Sequence, residues 1–379
     1  MKIGIDARMM SPGFGLGRYV EQLVEHLLAL PESREHIFVL FVKKNQISTY
    51  KPLFQERYPH VRFVEADIHW YTWQEQRKFP KIIREQEVDI MHFPHWNVPY
   101  VYNGPFVVTI HDLIMYHFPR PEATTLGTSK FFVKDKIHRL ILRHAVKRAK
   151  HILTPTSFTK HDIHTTLKIP EEKITITYEA PFCISEEGKL NPLDVLEKYQ
   201  ILKPHVIYVG AAYPHKNLKG LLKAWQIFEQ RYGLDYQLVL VGQKNYFYDR
   251  LINSNEIKAC KQVVYTGFVP DNVLQILYET ASLSVIPSLY EGFGLPPLEA
   301  MQYGIPVVSS DRTCLPEVLG EAALYTDPEN SEQFAETLYR GLTDEHARAV
   351  LKENGKRELV RYSWKTLAKQ TLNVYEGKP

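Results

Sequence analysis

Short apolar runs of β type alternate with helical patterns along this chain, break once near the middle, and then alternate again. The early runs are residues 2–6, 37–42, 61–64, 89–93 and 106–110, followed by 151–154 and 174–178. Between the first two lies 17–30, where Tyr19, Leu23, Leu27 and Leu30 fall at helical spacing. Nearly continuous apolar runs separated by helices build a largely parallel sheet covered on both faces. The break spans 180–203. Pro181, Gly188, Pro192 and Pro204 surround a short helical stretch at 192–199, and the segment reads as a linker. Runs at 205–210, 236–242, 262–266, 283–287 and 306–309 then restart the pattern, with helical stretches at 218–231 and 272–280. The tail from 331 to 375 is helical in pattern and either packs on the second domain or crosses back to the first.

The expected fold is therefore α/β, with two doubly wound Rossmann-like domains. Sheets of this kind bind ligands beyond the carboxyl ends of their strands, so two of them facing each other would make a ligand cleft. A chain of 379 residues suits two such domains. The expected division is 1–180 as an N-terminal domain, 181–203 as linker and 204–362 as a C-terminal domain. Residues 363–379 are then a terminal helix packing back toward the first domain.

Composition removes several function classes. The three cysteines, Cys183, Cys260 and Cys314, are far apart and odd in number, which fits a reducing compartment. No Cys/His spacing resembles a zinc site, and no run of 18 apolar residues could span a bilayer. The N-terminus has no signal-peptide pattern. Charge is uneven: residues 1–185 hold 25 Lys/Arg against 19 Asp/Glu, a balance of +6, and the remainder holds 21 against 24, a balance of −3. A basic first half fits an anionic partner such as a phospholipid surface or a phosphate-bearing acceptor; ordinary variation of surface charge is the alternative. Within it, residues 130–151 carry eight Lys/Arg and one acid, Asp135, interleaved with Phe131, Phe132, Ile137, Leu140, Ile141 and Leu142. That pattern fits either a basic amphipathic helix on an anionic membrane or a domain helix with a solvated basic face.

Two loops carry chemistry. The first, residues 11–19, follows the first strand and opens the first helix. Gly13, Gly15 and Gly17 let the backbone approach a ligand closely, and a helix N-terminus favours an anion. Its G-x-G-x-G spacing is not the G-x-G-x-x-G dinucleotide fingerprint, and no acid ends the second strand, which disfavours a nicotinamide site. The second loop is Pro287-Ser-Leu-Tyr-Glu-Gly-Phe-Gly-Leu-Pro-Pro-Leu-Glu-Ala-Met301. A strand ends at Pro287, and Pro296 and Pro297 suit a first helical turn. Backbone amides of Gly292, Phe293, Gly294 and Leu295 can cradle a diphosphate. Glu291 and Glu299 are carboxylates eight residues apart that can accept hydrogen bonds from ribose and sugar hydroxyls. A solvated loop charge and helix-dipole complementarity are the plainer explanations for each alone.

This second loop resembles the Glu-x7-Glu signature of family-4 retaining glycosyltransferases of the GT-B fold, the glycosyl transferases group 1. The resemblance runs along most of the chain: Asp6-Ala-Arg8 with Gly15-Leu-Gly-Arg-Tyr19, Ile110-His-Asp-Leu113, Thr156-Ser-Phe-Thr159, Val209-Gly210 with His215-Lys-Asn217, Leu315-Pro-Glu-Val318, and Thr326-Asp-Pro328. It implies that residues 1–180 form an acceptor-binding domain and 204–362 a nucleotide-sugar-binding domain, with the following roles. Gly15 and Gly17 approach the donor phosphate, and His111 bonds a hydroxyl of the transferred sugar. Lys216, beside His215, neutralises the leaving diphosphate. Glu291 and the amides of Gly292, Phe293, Gly294 and Leu295 hold sugar and diphosphate, Glu299 binds ribose, and backbone near Phe268 and Val269 meets the base. The catalytic set is His111, Lys216 and Glu291. Many members carry Arg where this chain has His215; a neutral His supplies less charge to the diphosphate, and Arg18 or Lys219 are candidates to compensate.

The resemblance implies retention of anomeric configuration. Asp67-Ile-His69 lacks the second acid of an Asp-x-Asp clamp, so no metal and no cofactor are expected, only a nucleotide-diphosphate sugar as co-substrate. The His-Lys-Asn and Leu-Pro-Glu-Val segments are similar to those of mannosyltransferases of bacterial surface polysaccharides. This favours GDP-mannose, with UDP-glucose next, and a saccharide or lipid-linked acceptor. No nucleic-acid partner is expected. A cytoplasmic location with peripheral contact at the inner membrane surface fits these features. Other classes stay open at this point: a sugar-nucleotide epimerase of the same architecture, a phosphorylase-like enzyme needing a pyridoxal-phosphate lysine, and a non-catalytic sugar-nucleotide-binding protein. A metal site at His92, His95 and His111 is weaker than a structural or acceptor-site role, and Trp70, Tyr71, Trp73 and Trp96 either stack on a sugar or pack a core.

Overall fold

A computed structural model describes residues 1–11, 15–119, 128–182 and 190–378, with backbone alone at 128–130. Gly13, Cys183 and Gly188 lie outside the described residues. The chain divides into two compact units, Met1–Glu179 with Ser363–Pro379, and Ala180–Tyr362.

The first unit is built on seven parallel strands: β1 (Lys2–Asp6), β2 (Ile37–Val42), β3 (Val61–Glu65), β4 (Ile90–Phe93), β5 (Phe106–Thr109), β6 (His151–Thr154) and β7 (Ile174–Ile176). Their order is β3-β2-β1-β4-β5-β6-β7. Every residue of β4 and β5 is buried, as expected where helices cover both faces of a sheet. The Leu16–Ala29 helix turns Tyr19, Val20, Leu23, Val24, Leu27 and Leu28 inward. Burying such side chains stabilises the unit by roughly 1.5–3 kcal/mol each, and Leu23→Ala would forfeit about 2–5 kcal/mol. The terminal Trp364–Tyr375 helix belongs to this unit and packs on the Leu16–Ala29 helix. Trp364 meets Tyr19 ring to ring at 6.0 Å, and Glu376 bonds His36 at 3.0 Å.

The second unit repeats the design with β8 (His205–Val209), β9 (Gln237–Val241), β10 (Val263–Gly267), β11 (Leu283–Ile286), β12 (Val307–Ser310) and β13 (Ala323–Thr326), ordered β10-β9-β8-β11-β12-β13. Trp225, Leu221, Leu222 and Phe228 from the Leu218–Tyr232 helix fill its core. Several elements go beyond the sequence pattern, the Tyr246–Ile252 helix among them. β13 adds an edge to β12, and the helices Lys44–Gln55 and Trp73–Glu85 form despite internal Pro52 and Pro80. The short helical stretch expected within the linker is present. Pro192–Lys198 is a helix of the second unit, started by the Asn191 side chain on the Leu193 N–H at 3.1 Å and buried through Val195.

In each sheet the chain first winds one way and then reverses. β4 returns to the other side of β1, and β11 to the other side of β8. The crevice outside the carboxyl ends of such a strand pair is where doubly wound sheets hold ligands.

Candidate active site

In the second unit the loops leaving β8 and β11 meet at the reversal. After β8, Pro214–Lys216 makes one tight turn closed by Asn217, whose φ is 55° and whose side-chain amide donates to the Pro328 carbonyl at 2.8 Å. After β11 the chain passes through Ser288 to Glu291. The Leu289 N–H donates to the His215 carbonyl at 2.7 Å, so the two loops are stitched backbone to backbone. Across that stitch Lys216 Nζ donates to both oxygens of Glu291, at 2.6 and 2.8 Å.

Glu291 is buried and held from every side. The Ser288 hydroxyl donates to its Oε1 at 2.7 Å. Its own N–H donates to Thr313 Oγ1 at 3.1 Å, and the buried Cys314 thiol points at its carbonyl, 3.3 Å away. Thr313 sits at φ 56°, an uncommon place for a β-branched residue; strained backbone of this kind persists where surroundings over-determine it and clusters at functional sites.

Gly294, at φ 91°, caps the Leu295–Gln302 helix. Because Pro296 and Pro297 lack an N–H, the first turn presents the Leu295 amide only. Any anion cradle here must therefore draw chiefly on the loop amides of Gly292, Phe293 and Gly294. Glu299 is buried one turn on and accepts the Tyr278 hydroxyl at 3.1 Å. Phe268 is exposed and Val269 buried at the end of β10. Tyrosine hydroxyls fix the neighbouring loop carbonyls: Tyr248 on Gly210 at 2.8 Å and Tyr265 on Gly242 at 3.1 Å. The His215 ring is buried and stacks on Tyr213 at 5.8 Å, whereas Lys219, weighed as a compensating cation, pairs with Glu256 at 3.2 Å.

In the first unit, Gly15 (φ 69°) caps the Leu16–Ala29 helix, and a Cβ at Gly17 would meet Ser11 Oγ. Asp6 and Arg8 pair with each other. They form a buried ion cluster with Glu75, each contact 2.7 Å, and Asn97 joins Glu75 at 2.8 Å.

His111 follows β5. Its Nδ1 lies 3.0 Å from Glu179 Oε1 and its Nε2 3.0 Å from the Pro94 carbonyl. The Pro94 carbonyl can only accept, so Nε2 carries hydrogen, and a carboxylate at Nδ1 favours the doubly protonated ring. Burial works against that charge, but the Glu179 carboxylate, the Pro94 carbonyl and Asp112 outweigh it and raise the pKa above the ordinary value. The Tyr19 ring packs edge-on at 4.4 Å. His92 is different. Its nitrogens meet the hydroxyls of Tyr375 at 2.5 Å and Thr109 at 2.8 Å, and burial pushes its pKa down to about 3. His95 is likewise pushed down to about 3 by burial. Among the described residues no three His, Cys, Asp or Glu side chains form a metal-binding group.

Sequence reasoning missed Glu179, Ser288, Thr313, Cys314 and Tyr278. Ser288 lies inside the quoted loop, and Thr313-Cys314 immediately precede the Leu315-Pro-Glu-Val318 landmark; Glu179 and Tyr278 carry no local signal.

Residues 15–180 match the description Glycosyltransferase Family 4, and residues 198–358 match Glycosyl transferases group 1. O-antigen chain mannosyltransferase B of Escherichia coli is 30% identical over 381 residues, covering 96% of this chain and 96% of that protein. The chain belongs to the family-4 glycosyltransferases. Among solved structures, sucrose-phosphate synthase from Thermosynechococcus elongatus superposes on this glycosyltransferase with a TM-score of 0.72 at 19% identity, covering 99% of this chain and 98% of that one. Anabaena HepE in complex with UDP and glucose gives 0.69 at 18% identity, with both chains covered completely. These neighbours establish that the glycosyltransferase has the GT-B fold.

Proposed function

We propose that this glycosyltransferase moves mannose from GDP-mannose to a saccharide or lipid-linked acceptor in surface polysaccharide synthesis, with retention of anomeric configuration and without a metal ion. The observation that carries the reading is the Lys216–Glu291 pair at the strand reversal of the second unit. One of the two side chains suits a leaving diphosphate and the other a sugar hydroxyl. The similarity to a mannosyltransferase across nearly the whole chain favours mannose over glucose.

In this scheme the bond from the sugar's anomeric carbon to the diphosphate oxygen breaks first, leaving an oxocarbenium-like sugar. Lys216 and the loop amides of Gly292, Phe293 and Gly294 stabilise the departing negative charge, the largest contribution available to such a reaction. The acceptor hydroxyl attacks the same face, and its proton passes to the leaving phosphate oxygen. Glu291 orients the sugar, Glu299 the ribose, and His111 Nε2–H donates to a sugar hydroxyl in exchange for the Pro94 carbonyl. No cofactor takes part.

The test is a panel of GDP-, UDP-, dTDP- and ADP-sugars in thermal-shift measurements, because a ligand that binds only the folded state stabilises it by mass action. The shifting donor is then incubated with acceptor extracts, and the anomeric configuration of the product is read by NMR. GDP-mannose giving the largest shift and an α-linked product is expected. A shift with UDP-glucose alone would reassign the donor, an inverted product would remove the retaining mechanism, and conversion of donor without acceptor would point to an epimerase.

A further inference from the structure

A cleft opens in the first unit at the end of its sheet away from His111. Strands β4 and β5 run parallel. Glu87 and Val88 before β4 and residues 102–105 before β5 therefore lie at one edge, while Pro94 and His111 follow the strands at the other. Between those two stretches and the Trp73–Glu85 helix is a cleft of about 250 Å³. Pro80 and Ile83, both buried on the helix, make apolar walls with Val88 and Pro105.

Four polar side chains line it as well: Arg84, Glu87, Tyr102 and Asn103. Tyr102 is 4% exposed, its ring set in the core against Phe93 at 5.6 Å and Phe106 at 6.1 Å. Its hydroxyl has no hydrogen-bond partner among the described residues, and it lies so near Gly104 that a Cβ there would strike it. Burial pushes the Tyr102 pKa up to about 12, so the group stays a neutral O–H that can donate and accept. A buried polar group without a partner is the exception in a folded protein and calls for an explanation. Arg84 and Glu87 are exposed and three positions apart, yet among the described residues neither is in an ion pair. Asn103 Oδ1 accepts from Arg148 at 3.3 Å, and its amide hydrogens are uncommitted among the described residues. Glu87 stands just past the helix end at φ 48°, in the left-handed conformation that glycine usually supplies there. A carboxylate is thus kept on the rim where glycine would be more stable.

We infer that this cleft binds one pyranose ring of a saccharide, apart from the reaction site. Its volume falls below the roughly 300–1,000 Å³ of sites for larger ligands, which excludes a nucleotide and suits a single ring. A pyranose offers C–H faces to the apolar walls and hydroxyls around its edge to the rim. One guanidinium and one carboxylate side by side sum to no net charge, so the rim favours neither a phosphate nor an ammonium. Sugar hydroxyls accept from Arg84 and Asn103 and donate to Glu87, and Tyr102 can do either. On the proposed reaction, whose acceptor is a saccharide, the cleft holds a part of that glycan already built while its end reacts elsewhere. That role rests on the proposed reaction; binding of the ring does not.

The experiment is calorimetry and saturation-transfer NMR of the full chain with methyl α-D-mannopyranoside and with a linear mannotetraose. Both should bind, and binding should persist in Glu291→Ala. It should fall about tenfold or more in Glu87→Gly, which loses a charged acceptor, and about two- to tenfold in Tyr102→Phe. Glu87→Gly should melt at or above the native temperature, because glycine suits that backbone; its weaker binding is then no consequence of unfolding. No binding of either saccharide to the native chain overturns the inference. So does binding that is lost in Glu291→Ala and unaltered by both cleft variants, which would place the sugar in the reaction site. A donor panel without a nucleotide-sugar shift would fail the proposed reaction alone and leave the ring in its cleft.

Discussion

Lys216 and Glu291 neutralise each other across two loops, the ammonium bridging both carboxylate oxygens at 2.6 and 2.8 Å. On the proposed reaction, a donor diphosphate would meet a cation already engaged; its binding would exchange one anionic partner of Lys216 for another and release Glu291 toward the sugar. Each residue is thus expected to restrain the other until substrate is present.

Glu291→Ala should separate binding from turnover. With the carboxylate gone Lys216 is freed for phosphate, so the affinity for the nucleoside diphosphate holds or tightens. The sugar contact is lost, and kcat should fall by about 10- to 150-fold, the equivalent of a charged hydrogen bond of roughly 1.5–3 kcal/mol. Calorimetry with the diphosphate and steady-state kinetics measure the two; a kcat near that of the native enzyme would remove Glu291 from the reaction.

Lys216→Ala should weaken donor binding by about 1.5–3 kcal/mol and also lower the melting temperature, because it strands a buried carboxylate. Adding Glu291→Gln to the Lys216→Ala variant should restore much of the lost stability while leaving the enzyme inactive. If the single variant melts and binds donor like the native chain, the pairing has no energetic weight.

The His111–Glu179 contact predicts a pH signature. A histidine whose folded pKa is raised contributes stability that is complete below its unfolded value, about 6.5, and is lost as pH climbs through the folded value. His92 and His95, pushed down to about 3, act oppositely and cost stability as pH falls below about 6.5. The His111 share is isolated by Glu179→Gln, which should destabilise the protein at pH 6 more than at pH 8. Equal losses at both pH values, read from melting temperatures, would deny the imidazolium.

Transfer should survive exhaustive chelation. Lys216 and the loop amides are assigned the work a divalent ion performs elsewhere, so the rate in EDTA should match that in buffer. Loss of activity that Mn²⁺ or Mg²⁺ restores would overturn the assignment.

The sequence displayed the parts of this site that are contiguous. Glu291, the glycines after it and Glu299 sit in one strand–loop–helix stretch, and Lys216 follows its own strand, so local pattern and family resemblance reach them together. The residues that hold them come from far along the chain: Thr313 lies 22 positions from Glu291, Tyr278 lies 21 from Glu299, and Glu179 lies 68 from His111. Only the sheet order brings them in. In the fold, the apolar runs betrayed every buried strand, but β13, four residues with two half-exposed, did not stand out. Pro52 and Pro80 masked two helices because proline normally ends one. The Thr128–Arg148 helix was legible as basic and apolar, but the pattern does not say that Phe131, Leu142, Ala145 and Val146 are the side chains the core takes.

The terminal helix fixes an order of events during synthesis. The first unit is assembled from both ends of the chain: Tyr375 bonds His92 beneath the sheet, and Trp364 packs on Tyr19. The second unit is continuous in sequence and has emerged from the ribosome before those last residues appear. Domains generally fold as units in the order they are made, yet here the one begun first must be finished last. Until residues 364–375 arrive, the nascent first unit exposes the part of its opening helix that the terminal helix covers. That interval is when a chaperone would find this enzyme.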